Sequence, residues 1–191
     1  MSSCVKSNIW EQKTFAVVTG ASRGIGQAIV EKLAETLAPG SVILLISRDE
    51  VSLVSIQQAL QENNPSIRIE IGISDLSTCT AASLNEIFSR VLAEFSAESF
   101  SRSLCIHNAG TIGNLSKRCA DIVEIDYCTD YYRLNLASVI VLNSLFLQLF
   151  AKTTRTVVNI SSLLGVVPYA SLSLYCSGKA ARDMLFKVTS H

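Results

Sequence analysis

The sequence predicts an α/β protein, a doubly wound parallel sheet with helices on both faces. Three observations carry this. Short apolar runs alternate with amphipathic stretches five times along 191 residues. The runs are apolar on both faces, as strands buried between two helical layers must be. The connections are long enough for helical crossovers, whose right-handedness winds the sheet in two directions. Neither a repeat nor a linker interrupts the pattern, so residues 1–191 read as one domain.

In order, "TFAVVT" (14–19) is the first strand and runs into Gly20. "GIGQAIVEKLAETL" (24–37) has apolar residues at helical spacing and is stopped by Pro39-Gly40. "SVILLIS" (41–47) is a second buried strand, and 49–64 a second helix that ends before Pro65. "IRIEIGI" (67–73) alternates as a third strand, and 77–96 is a third helix. "SLCIHNAG" (103–110) is a fourth strand entering a glycine turn. After a polar loop, 127–152 is one long helix, "RTVVNIS" (155–161) a fifth strand, and 171–188 a last helix. In such a sheet, ligands sit at the carboxyl ends of the strands. Gly20, Arg48, Asp75, Asn108 and Ser161-Ser162 all fall there.

Composition excludes several classes. The 16 basic and 16 acidic residues cancel, so a nucleic-acid surface is not expected. The apolar stretches 41–47 and 137–150 are too short or too interrupted to cross a bilayer, which makes them core. The first 13 residues lack the apolar core of a leader peptide, which points to the cytoplasm. The cysteines at 4, 79, 105, 119, 128 and 176 form no CxxC pair, and the histidines are at 107 and 191. Free thiols in a reducing compartment are expected, and no zinc site.

"TGASRGIG" opens the first helix, with Gly20, Gly24 and Gly26 in GxxxGxG spacing. Glycines let backbone approach a pyrophosphate, and the helix amides attract its charge. A Lys-Ser/Thr pair does not follow, so this is no P-loop. At the end of the second strand, where a carboxylate would bind a ribose diol, stands Ser47-Arg48. Arg48 and Arg23 can fork onto a 2′-phosphate, which predicts NADP(H); two ordinary surface arginines are the alternative. Tyr175 and Lys179 lie four apart on one helix face. An ammonium there would lower the phenol's pKa from about 10 toward neutrality and fit it for general-acid work. Spacing alone leaves packing as the simpler explanation of the pair.

With "NAG" (108–110), "RLN" ending at Asn135, "NISS" (159–162) and "YCSGK" (175–179) added, the whole chain resembles the short-chain dehydrogenase/reductase family. It is most similar to members that reduce pterin side-chain ketones with NADPH. The resemblance implies a Rossmann-like domain and a catalytic set of Asn135, Ser162, Tyr175 and Lys179. Tyr175 would protonate the nascent alkoxide. Lys179 would hold the nicotinamide ribose and tune the tyrosine. Ser162, with Leu163 beside it, would orient the carbonyl, and Asn135 would support a proton relay. Gly20, Ala21, Ser22, Arg23, Gly24, Ile25, Gly26, Ser47, Arg48, Asp75, Leu76, Asn108, Ala109, Gly110 and Lys179 would hold the cofactor. His107 departs from the family's usual Asn, with little effect expected. A homo-oligomer through the last two helices is implied.

Family members continue past the Tyr-Lys helix with two further strands, a loop over the nicotinamide and a substrate-covering segment. The present sequence runs twelve residues beyond Lys179. The fifth strand is therefore expected to be an exposed edge, and this chain to be less active and less stable than a full-length relative. Two alternatives stay open: a reductase of another carbonyl, and a catalytically silent subunit that modulates an intact enzyme. A hydrolase is not expected, for want of a GxSxG elbow.

Overall fold

A computed structural model describes residues 9–189. Cys4, His191 and most of the N-terminal stretch tested for a leader lie outside them. Five parallel strands form one sheet in the order β3-β2-β1-β4-β5: β1 Thr14–Thr19, β2 Val42–Ser47, β3 Arg68–Ile73, β4 Arg102–His107 and β5 Thr154–Asn159. The helices are α1 Gly24–Thr36, α2 Glu50–Asn63, α3 Ala81–Leu92, α4 Ile125–Tyr132, α5 Ser138–Leu149 and α6 Ser173–Thr189. The chain winds outward through β2 and β3, crosses back by α3, and resumes beside β1 with β4. That reversal between β1 and β4 opens the crevice where a doubly wound sheet takes ligands.

Strand periodicity assigns the core. Ala16 and Val18 of β1 face one layer, with Val30 and Leu33 of α1 and Leu53 and Leu60 of α2. Phe15 and Val17 face the other, with Phe88 of α3 and Leu142 and Phe146 of α5. Phe15 lies 4.8 Å from Phe150, ring centre to ring centre. Each phenylalanine buried this completely contributes about 1.5–3 kcal/mol.

The two edges of the sheet differ. Gln57 and Gln61 of α2 donate to the carbonyls of Ile69 (2.7 Å) and Ile67 (2.8 Å), and Arg90 of α3 donates to that of Ile71 (2.5 Å). Side chains thus dress the β3 edge and blunt it against strand addition. The β5 edge follows the expectation from sequence. Thr154, Arg155 and Val158 are exposed, and an apolar groove of about 610 Å³ lies between α1 and β4–β5, lined by Leu33, Leu104, Ile106 and Val158.

The long helix is not uniform. Arg133–Ala137 forms a π turn between α4 and α5. Asn135 Nδ2 donates to the Tyr131 carbonyl one turn back (3.0 Å), a contact that diverts a ladder acceptor and widens the turn. The helical run from Ile125 to Leu149, with mean hydropathy 1.2, has the length and composition to cross a bilayer. Core helices share that composition, and Tyr131, Leu142 and Phe146 are buried in the fold.

Candidate active site

The glycine loop is built for close approach. Gly20 (φ +66) and Gly24 (φ +56) sit in the left-handed region. Gly26 lies so near the Gly20 carbonyl that a Cβ would stand 2.1 Å from its oxygen. Gly20 N donates to Ile46 O (2.8 Å), and Asn108 Nδ2 donates to the carbonyls of Thr19 (3.0 Å) and Gly20 (3.1 Å). Thr19 Oγ1 accepts from the amides of Asn108 and Ala109, both at 3.0 Å. The loop is thereby braced from β2 and β4 at once.

Helix capping sets α1 apart from α2 and α3, although the α4 N-cap, Glu124, also makes no side-chain cap bond. Asp49 caps α2 by accepting from Ser52 N, and Thr80 caps α3 in a capping box. At α1 the N-cap is Arg23, whose side chain makes no cap bond. The first amides of α1 therefore keep their donors for a ligand. A crevice of about 330 Å³ lies along this terminus, lined among others by Ser22, Arg23, Ser47, Arg48, Asp75 and Gly110. These residues fit a dinucleotide phosphate.

Ser47 Oγ donates to Ser22 Oγ (2.9 Å), tying the strand end to the glycine loop. Arg48 pairs with Asp75 at 3.3 Å. Asp75 is held below the usual carboxylate range, first by the Ser77 hydroxyl and amide and then by Arg48. The Arg48 side chain is 72% exposed, and such a pair is worth about 1 kcal/mol at most. A phosphate can compete for it.

Of the residues expected at the cofactor, Ala21, Gly24, Ile25, Gly26, Asn108 and Lys179 do not line this crevice. Ala21 is fully buried in the core, and the Asn108 amide is spent on the glycine loop. Both act by shaping the loop. The crevice also includes Ser74, Thr111 and Leu134, which sequence reading missed. Ser74 and Thr111 directly follow expected strand ends or turns, and the carboxyl-end rule applied residue by residue would have found them.

On α6, Lys179 is buried and its Nζ donates to the Ile160 carbonyl (2.6 Å). The same Nζ lies 5.6 Å from the centre of the Tyr175 ring. Burial, then the Arg182 charge, lowers the Lys179 pKa to about 8, with Asp183 opposing. Ser162 Oγ accepts from Leu164 N (3.2 Å), which leaves its own proton to give away, and Leu163 beside it is 73% exposed. Gly178 lets α6 approach α4, since a Cβ there would stand 3.3 Å from the Tyr131 ring. Asn135 is 4% exposed, and its Oδ1 accepts from Thr111 N (2.9 Å). Its side chain therefore braces the π turn and the loop after β4.

His107 is more than a neutral replacement. It is 1% exposed, with Nε2 3.3 Å from Asn143 Oδ1 and 3.4 Å from Cys105 Sγ, and its ring packs on Phe186. Burial depresses its pKa from 6.5 to about 4. The folded chain thus binds this proton more weakly than the unfolded chain. The stability it contributes is present above pH 6.5 and is lost as pH falls toward 4, by about 3 kcal/mol in all. Thermal melting at pH 7 and pH 4.5 is expected to show this loss, and His107→Asn to reduce it. Equal sensitivity in the variant would contradict the assignment.

The fold and this site place the chain in the short chain dehydrogenase family, whose model matches residues 14–191. Among curated relatives, sepiapterin reductase of Xenopus laevis is 40% identical over 175 residues, and that of Mus musculus 39% over 175. Each alignment covers 90% of this chain, and 65% and 66% of the relative. A benzil reductase ((S)-benzoin forming) of Bacillus subtilis is 31% identical, with 88% and 63% covered. The chain thus spans about 65% of the length of the curated relatives it matches. A solved short chain dehydrogenase from Pseudomonas syringae superposes with a TM-score of 0.81 at 24% identity, covering 94% of this chain and 69% of that one. One from Escherichia coli CFT073, solved with NADPH, gives 0.79 at 23%, covering 94% and 71%. The likeness to the solved structures is one of fold.

Proposed function

We propose that this single domain is the cofactor-binding and proton-donating part of an NADPH-dependent carbonyl reductase acting on pterin side-chain ketones. The observation that carries the reading is the uncapped α1 terminus. Gly20 of the glycine loop, Arg23 at the head of that helix and Arg48 at the end of β2 line one crevice, as a phosphorylated dinucleotide requires. NADPH, when bound, supplies the hydride. Ser162 donates a hydrogen bond to the substrate carbonyl oxygen, and Tyr175 gives that oxygen its proton. Lys179, charged below about pH 8, stabilises the phenolate left behind and binds the ribose. The pterin assignment rests on the sepiapterin reductase relatives. The benzil reductase relative favours a second reading, a reductase of another aromatic ketone on the same machinery. Exposed Ile140 on α5 and exposed Met184 and Val188 on α6 support self-association through these helices.

Fluorescence of NADPH mixed with the purified chain tests the binding, and loss of sepiapterin absorbance then tests turnover. Saturable binding that favours NADPH over NADH is expected, followed by reduction. Arg48→Ala is expected to erase about 1–2 kcal/mol of the preference, roughly 5- to 30-fold. An unchanged preference would remove Arg48 from the 2′-phosphate site. Binding without turnover would favour the silent-subunit alternative.

A further inference from the structure

Arg182 heads the large side chains that the fold buries fully, at 1% exposure, and it is a cation. Burial of a charge is costly unless its donors are engaged. Here they are. Nη2 donates to the His107 carbonyl at 2.6 Å, at the end of β4. Nη1 donates to the Ala109 carbonyl at 3.0 Å, in the turn that follows. Nε donates to Asn159 Oδ1 at 2.9 Å, at the end of β5. Asn159 passes the contact on, since its Nδ2 donates to Asp183 Oδ1 at 2.9 Å. A single amide thus bridges a guanidinium and a carboxylate that are adjacent on α6, and only one orientation of the amide serves both.

The network reaches the candidate catalytic pair. The His107 carbonyl also accepts from Ile160 N (3.1 Å), and the Ile160 carbonyl accepts from Lys179 Nζ (2.6 Å). One run of hydrogen bonds therefore joins Ala109, in the wall of the dinucleotide crevice, to Lys179 beside Tyr175. A leucine or methionine would fill the same space without burying a charge, so packing alone does not explain a guanidinium here.

We propose that Arg182, bracketed through Asn159 to Asp183, is the positioning residue of this site. It fixes α6 to the ends of β4 and β5, and its charge, opposed by that of Asp183, sets the field at Lys179. The inference rests on the reductase reading of the site. Arg182 lies one helical turn from Lys179 and depresses its pKa, while Asp183 raises it. The other titratable groups at this junction are Tyr175 on α6, Tyr131 on α4 and His107 on β4. Burial raises the pKa of Tyr131 and lowers that of His107, so neither carries charge near pH 7.

The test follows the Lys179 side-chain resonance by NMR, in the full chain labelled at lysine, from pH 6 to 10, with Lys179→Arg assigning the signal. Arg182→Met is expected to move the Lys179 midpoint up from about 8, and Asp183→Asn to move it down. Arg182→Lys keeps the charge but loses the fork. Its midpoint is expected to stay near that of the unmodified chain, while kcat falls roughly 10- to 100-fold with KM changed less. A structural role alone does not displace the midpoint in opposite directions. If Arg182→Met does not fold, Asp183→Asn decides: a midpoint that stays or rises overturns the proposal. Failure of the unmodified chain to bind NADPH would refute the reductase reading, and the titration would still report on Arg182.

Discussion

Replacing Gly26 with alanine is expected to weaken NADPH binding at least about 100-fold, a loss of about 2.7 kcal/mol. The new Cβ would stand 2.1 Å from the Gly20 oxygen and 2.5 Å from Asn108 Nδ2. Neither neighbour can yield cheaply. Gly20 is held at φ +66 and tied to Ile46, and the Asn108 amide braces the carbonyls of Thr19 and Gly20. Relief of the clash must move the turn between β1 and α1, which is the turn that presents the free α1 amides. Overpacking of this kind also costs about 1–3 kcal/mol of stability. Gly24→Ala is the contrasting case. Nothing lies within 4 Å of its Cβ position, and only the left-handed φ of +56 opposes the substitution, at about 1–2 kcal/mol. Cofactor fluorescence and thermal melting on both variants check the pair. A Gly26→Ala affinity within threefold of the parent would show that the loop does not form the phosphate cradle.

The contrast between these glycines shows what the sequence could and could not convey. Strand alternation and helix spacing were legible, because they follow from burying two faces of one sheet. Helix starts were less so. Residues 77–96 have helical periodicity throughout, yet α3 begins at Ala81. Asp75 captures Ser77 N and Oγ, and Thr80 and Ser83 cap one another, so local side-chain bonds delay the helix. The π turn was hidden for a similar reason, since Asn135 keeps the hydrophobic spacing while its amide takes the Tyr131 carbonyl. Arg182 was missed because an arginine late in an amphipathic helix reads as exposed. The available signal was its place at i+7 from Tyr175 and i+3 from Lys179, on the one face that must meet the sheet. Ala21 and Asn108 were located by motif, but whether a motif residue touches the ligand or shapes the loop depends on contacts that spacing does not encode.

Tyr175→Phe is expected to cut carbonyl reduction by about 10²- to 10⁴-fold, the usual range for a positioned acid, while leaving NADPH affinity within about twofold. Phenylalanine keeps the ring that Lys179 Nζ approaches at 5.6 Å, so the packing of α6 and the cation–ring contact survive and only the transferable proton is lost. Lys179→Met is expected to damage both quantities, because it removes the ribose ligand as well as the charge beside the phenol. The same charge sets the pH behaviour of the unmodified chain. Lys179 is protonated below its folded pKa of about 8, so the rate is expected to fall as pH rises through that value. Steady-state reduction between pH 6 and 9, read beside cofactor fluorescence, separates these effects. If Tyr175→Phe retained more than about a tenth of the rate, the proton would have to come from elsewhere. "YCSGK" would then be a packing motif between α6 and the sheet, and the reductase reading would rest on the cofactor crevice alone.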